Sequence, residues 1–109
     1  MRFNLGEFEE IVLLVVAAQN NEAYGMSVTK AIEEELNRSV TLSSVHTSLY
    51  RLEDKGLIES EVGGTSKTRG GRRKRIFRIT SAGKEALLEA KEARMHLWSM
   101  IPGIVFESK

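Results

Sequence analysis

A chain of 109 residues, 41% apolar and 28% charged, has room for one domain and one modest core, in the balance of an ordinary globular protein rather than a disordered one. It has no cysteine, which excludes disulfides and thiolate metal sites and fits a reducing compartment. Its net charge of +1 hides an asymmetry: residues 1–61 hold 5 Lys/Arg against 11 Asp/Glu, residues 62–84 hold 8 basic residues and no acid, and residues 85–109 hold 3 against 4. An acidic body with one concentrated basic element points to a directed contact with a polyanion.

The first predicted helix carries Phe8, Ile11, Val12, Val15 and Ala18 at the i, i+3, i+4 spacing, with Leu13, Leu14 and Val16 adding apolar surface on its other sides. A helix apolar nearly all round needs its own core and a further surface, and a second subunit is the expected one. Its apolar run, Ile11 to Ala18, is too short to span a bilayer, and the acids before it do not suit a signal peptide. A cytoplasmic location with no membrane partner is therefore expected. Gln19-Asn20-Asn21 ends the helix. A second helix runs from about Met26 or Ser27 to Leu36, with Val28, Ile32 and Leu36 on one stripe, Glu33, Glu34 and Glu35 solvated, and Gly25 suited to a tight entry turn.

The third helix starts at about Leu42 with Thr41 as N-cap and stops at Lys55, Gly56 being its C′ residue. Val45, Leu49 and Leu52 share its buried face; Ser43, Thr47, Tyr50 and Arg51 point the opposite way, flanked by Ser44 and His46. Such a small, polar face can approach base edges, and it can equally be a solvated helix face. Leu57 to Val62 and Ile76 to Ile79 read as strands joined by a glycine-rich basic loop, Gly63 to Arg75. The cations of this wing, Lys67, Arg69, Arg72, Arg73, Lys74, Arg75 and Arg78, read as DNA contacts rather than as a solvated loop, with Lys67, Arg69, Arg72, Arg73 and Lys74 the candidate phosphate anchors. Thr80 then caps a long final helix closed by Pro102-Gly103, whose stripe of Ala82, Ala86, Ala90 and Ala93 would admit a second helix closely.

These elements predict a mainly α fold with a small β-hairpin. A winged helix-turn-helix would occupy residues 1–80, its wing at about 57–79, and a C-terminal dimerisation helix and tail residues 81–109.

The chain resembles the PadR family of bacterial transcriptional regulators over nearly its whole length. The resemblance rests on Leu5-Gly6-Glu7-Phe8-Glu9, Ala23-Tyr24-Gly25, Val45 with Leu49 to Ile58, Gly70-Gly71-Arg72-Arg73-Lys74-Arg75, and Phe77 to Gly83, in this order. It implies a homodimer whose third helix enters the major groove of double-stranded DNA while the wing contacts backbone or minor groove. It also implies a dimer made through the C-terminal helix, and a response to small aromatic or cationic compounds. The chain looks like the short form, with a single C-terminal helix. One departure concerns His46, where the family usually has Tyr, so an imidazole stands here in place of that hydroxyl.

Trp98, the only tryptophan, lies on the final helix among Met95, Leu97 and Ile101. It serves either core packing or an effector site at the dimer interface, where two Trp98 rings could flank a flat aromatic or cationic compound. Enzymatic readings fail: His46 and His96 lie on different helices with no acid or Cys at ligand spacing, so no catalytic residue, cofactor or metal is expected. The expectation is a sequence-specific DNA-binding regulator, a ligand-responsive homodimeric repressor. The groove set is Ser43, Ser44, His46, Thr47, Tyr50 and Arg51. The alternative is a winged helix that binds a partner protein and has no specific DNA target.

Overall fold

Every helix and both strands contribute to one core: Val12, Leu13 and Val16, Val28 and Ile32, Val45, Leu49 and Leu52, Ile58, Phe77 and Ala86 are all buried. Each large apolar side chain removed from water in this way contributes about 1.5–3 kcal/mol. The computed structural model describes residues 4–63 and 74–107. Helices α1 (Glu7–Ala18), α2 (Gly25–Leu36) and α3 (Leu42–Asp54) are followed by β1 (Ile58–Val62), β2 (Arg75–Ile79), α4 (Ser81–Ser99) and a short 3₁₀ turn, Gly103–Phe106.

The local signals act as the sequence predicts. Thr41 Oγ1 accepts the Ser44 N–H at 3.0 Å and starts α3. Gly56 ends it with φ of +77°, a left-handed conformation that glycine adopts without strain. Thr80 Oγ1 accepts the Gly83 N–H at 3.1 Å to start α4 and donates to the Gly56 carbonyl at 2.7 Å, so one hydroxyl ties the end of α3 to the start of α4. Asn37, with φ of 50°, closes α2.

The two strands pair antiparallel with Ile58 opposite Ile79, Ser60 opposite Phe77 and Val62 opposite Arg75. These residues share one face of the hairpin, and Glu59, Glu61, Ile76 and Arg78 share the other. Phe77 is the keystone. It is fully buried, and its N–H donates to the Ala23 carbonyl at 2.8 Å, so the segment before α2 acts as a third rung.

Four expectations are corrected. The buried stripe of α1 is Val12, Leu13 and Val16; Phe8, Ile11 and Val15 are only partly buried and Ala18 is exposed, because α1 is enclosed by α3 and β2 as well as α2. Gly25 is the first residue of α2, not part of an entry turn, and close approach of α3 rather than backbone conformation requires it there. The alanine stripe of α4 is not left open for a second molecule, since Ala86 and Ala90 are buried within this chain. Short side chains let α4 lie directly on its own domain, where Arg94 holds Glu10 of α1 in an ion pair. The helix also closes at Ser99, two residues before Ile101.

Candidate nucleic-acid interface

Residues around α3 fall into an outer face and two flanks. Ser43, Thr47, Tyr50 and Arg51 are exposed, as predicted from the helical wheel. Thr47 Oγ1 donates to the Ser43 carbonyl at 3.0 Å, and Ser44 Oγ donates to the Thr41 carbonyl at 2.9 Å. Both hydroxyl protons are thus spent on the backbone. Ser44 and Thr47 therefore offer hydroxyl lone pairs as acceptors, which suits an exocyclic amine on a base edge.

On one flank, Ser44, Thr47, Arg51 and Lys55 face the segment leading into α1. With Asn4, Gly6, Glu7 and Glu9 they line an open groove of about 700 Å³. Lys55 is committed there: its Nζ donates to the Asn4 carbonyl at 2.6 Å and to Glu9 Oε1 at 2.7 Å. Burial pushes the Glu9 carboxyl up, but the Lys55 hydrogen bond, the Gly6 N–H and the nearby charges of Lys55 and Arg51 outweigh it and hold it below its ordinary value. Arg51 itself stays exposed at the mouth of this groove.

The other flank, His46, Tyr50 and Glu53, meets the start of α2 and the hairpin. His46 turns inward: its Nδ1 is buried with no hydrogen-bond partner, and its Nε2 would lie 2.6 Å from a β-carbon on Gly25. His46 therefore does not share the outer face with the rest of the predicted groove set. Its ring stacks on Tyr50, with centroids 5.8 Å apart and planes 22° from parallel, and Tyr50 meets Phe77 edge-on at 6.5 Å. One turn later Glu53 Oε2 accepts from Ser60 Oγ at 2.7 Å, and Ser60 Oγ accepts from Arg75 Nη1 at 3.0 Å. The stripe of α3 at 46, 50 and 53 is thus a seam that docks the hairpin.

The described wing cations have separate fates. Hydrogen bonds to Glu61 and Glu59, reinforced by their charges, hold Arg78 across the strands and raise its pKa. Lys74 Nζ sits 4.1 Å from the centre of the Tyr24 ring, a cation–π contact that fixes the base of the wing to the start of α2. Lys67, Arg69, Arg72 and Arg73 lie outside the described residues.

At the far end of α4, Met95, Leu97 and Trp98 are each about 60% exposed, and Ile101 with Arg94, Leu97 and Trp98 lines a hollow of about 280 Å³. The 3₁₀ turn brings Phe106 onto Trp98, with rings 6.0 Å apart and 13° from parallel. Sequence reasoning missed Ile104, Val105 and Phe106, although an apolar triplet just beyond Pro102-Gly103 marks a turn-back. It also missed the roles of Lys55, Glu53 and Ser60. Among the described residues no cluster of His, Asp or Glu could hold a metal ion, and no helix is long and apolar enough to cross a membrane.

A helix pair whose second member presents a polar face, with a hairpin docked along that member's flank, defines a winged helix-turn-helix. The chain belongs to the transcriptional regulator PadR-like family, which it matches over residues 12–89. Proteins of this family are transcription regulators, not enzymes. The chain is 34% identical over 76 residues to the transcriptional regulator Rv3488 of Mycobacterium tuberculosis, a match covering 70% of this chain and 66% of that protein. Its fold is shared with a PadR-like transcriptional regulator from Bacillus cereus, with a TM-score of 0.73, 21% identity and 93% of each chain covered. It is also shared with Bacillus subtilis PadR in complex with operator DNA, with a TM-score of 0.64, 21% identity, and 97% of this chain and 54% of that one covered.

Proposed function

We propose that the protein is a homodimeric, sequence-specific regulator that binds double-stranded operator DNA. The observation that carries this reading is the seam: α3 leaves Ser43, Thr47, Tyr50 and Arg51 exposed while its flank anchors a hairpin that leads into the basic loop. Ser43, Ser44, Thr47, Tyr50 and Arg51 enter the major groove, and His46 acts from beneath by holding the Tyr50 ring. Lys67, Arg69, Arg72, Arg73 and Lys74 engage phosphates. That Bacillus subtilis PadR, which shares the fold, forms a complex with operator DNA supports DNA as the partner.

The exposed run from Met95 to Phe106 supports dimerisation, because an apolar surface of this extent needs covering. A dimer would present its two reading helices to half-sites about one helical turn, roughly 34 Å, apart. Repression follows if the operator overlaps a promoter. The hollow beside Trp98 is the candidate effector site for a flat aromatic or cationic compound, and saturable quenching of the fluorescence of Trp98, the single tryptophan, would report on it.

The decisive experiment selects bound sequences from a random duplex library and then measures affinity against salt. Binding at 10⁻⁸ M or tighter at physiological salt, with a steep fall as salt rises, is expected. Binding with no sequence preference, or none at all, would favour a protein-interaction module built on the same apolar surfaces.

A further inference from the structure

We propose that Arg75 is a phosphate ligand at the junction of wing and reading helix, and that Ser60, oriented by Glu53, is the residue that positions it. The inference rests on the DNA-binding reading above and adds a site outside the contact set named there.

Three hairpin cations fall within the described residues, and their surroundings differ. Arg78 is neutralised by Glu59 and Glu61, and Lys74 lies over Tyr24. Arg75 is exposed, and among the described residues it makes no ion pair. Its partner is a neutral hydroxyl, so its full charge remains available to a ligand.

The direction of that charge is set by the fold. Arg75 stands opposite Val62, on the same face of the hairpin as Ser60 and Phe77, which is the face turned toward α3. It lies between the seam residues Tyr50 and Glu53 and the start of the basic loop. When α3 occupies a major groove, the edge of that groove is a row of phosphates, and the seam is the part of the protein beside it.

The hydrogen bonds run in one direction. Ser60 gives its proton to Glu53 Oε2 at 2.7 Å, which turns its lone pairs toward Arg75 Nη1 at 3.0 Å. A guanidinium has five N–H donors in a rigid fork, so fixing one of them orients the rest for two-point capture of a phosphate. The carboxylate acts through the hydroxyl rather than by pairing with Arg75, so it orients the group without cancelling it. Without Ser60 the same charge would swing on a flexible stem.

The test measures binding to a selected operator and to a random duplex across a range of salt concentrations, for wild type, R75Q, S60A, S60T and the R75Q/S60A double variant. For R75Q the slope of log K against log salt should flatten by about 0.9 per protomer on both duplexes, since one phosphate contact is lost. S60A, which removes no charge, should weaken binding roughly 3- to 10-fold, the scale of one ordinary net hydrogen bond. S60T, which restores the hydroxyl, should recover it, and S60A should cost nothing further once Arg75 is gone. A wild-type slope for R75Q, or an equal S60A loss with and without Arg75, would overturn the assignment while leaving DNA binding intact. If the wild-type protein fails to bind any duplex, the DNA reading falls and takes this site with it.

Discussion

Gly25 and His46 exclude each other's growth: a β-carbon on Gly25 would stand 2.6 Å from His46 Nε2 and 2.7 Å from Cε1, with Leu42 Cδ1 at 3.3 Å. The absence of a side chain at the start of α2 lets α3 drive an imidazole against it. Gly25→Ala should therefore destabilise the fold by about 1–3 kcal/mol, the usual cost of overpacking, despite alanine's better helix propensity. Chemical denaturation of G25A, H46A and the double variant checks this. In the His46→Ala background the Gly25→Ala penalty should vanish, and equal penalties in both backgrounds would mean His46 is not the obstacle.

Gly83 is a harder case. A β-carbon there would run into the Leu57 carbonyl and come within 2.7 Å of Ile79 Cγ1, and a backbone carbonyl cannot swing away as a side chain can. Gly83→Ala should cost more than Gly25→Ala, about 3 kcal/mol or above, by forcing α4 off the hairpin. A melting temperature within a few degrees of wild type would show that α4 can shift without loss.

The two glycines also show what could be read from the chain alone. The Thr41 and Thr80 caps, the stop at Gly56 and the Val45, Leu49, Leu52 stripe rest on neighbours in sequence, and all were legible. The outer face of α3 was legible too, because a wheel needs only spacing. What escaped depends on residues far apart in sequence. His46 looks like a flanking groove residue until Gly25 is known to lie beneath it, and Lys55 looks solvated until Asn4 and Glu9 close around its ammonium. The alanines of α4 signalled close packing correctly, but small side chains do not say which surface approaches them.

Glu9 provides a test by pH. Its folded pKa lies below its ordinary value of 4.5, chiefly because the Lys55 hydrogen bond and the Gly6 N–H overcome the cost of burial. A depressed carboxylate pKa adds stability above the unfolded value and loses it as pH falls through the folded one. Wild type should therefore exceed Glu9→Gln in stability at neutral pH, with the gap closing below about pH 4.5. Denaturant midpoints measured between pH 3 and 7 give the curve. In a Lys55→Met background the pH dependence of the gap should shrink, and an unchanged one would mean that Lys55 does not set the shift.

Arg51 stands exposed at the edge of the outer face, where a base or a phosphate could be its target. If it reads a base, Arg51→Ala should cost about 1–3 kcal/mol on the selected operator and much less on random DNA. Competition between the two duplexes decides it. Equal losses would make Arg51 a backbone contact and leave sequence reading to Ser43, Thr47 and Tyr50.

On the dimer reading, Leu97→Glu should raise the dimer dissociation constant by at least tenfold, because it places a charge within the exposed apolar run around Trp98, Ile101 and Phe106. Sedimentation equilibrium over a concentration series measures the change. A protein already monomeric before substitution would remove the dimer from the account.

Helix α4 runs unbroken from Ser81 to Ser99, its first turns locked to α1 and the hairpin and its last turns bare. On the dimer reading, one rigid rod carries both the attachment to the domain of α3 and the surface that a second copy would cover. Each residue inserted in its middle would rotate the bare end by about 100° and move it by about 1.5 Å relative to that domain. Spacing and phasing of two half-sites along a duplex would then be written in the length of this helix rather than in any residue that touches DNA. Relatives could acquire differently spaced operators by insertion or deletion in α4 while keeping every base contact.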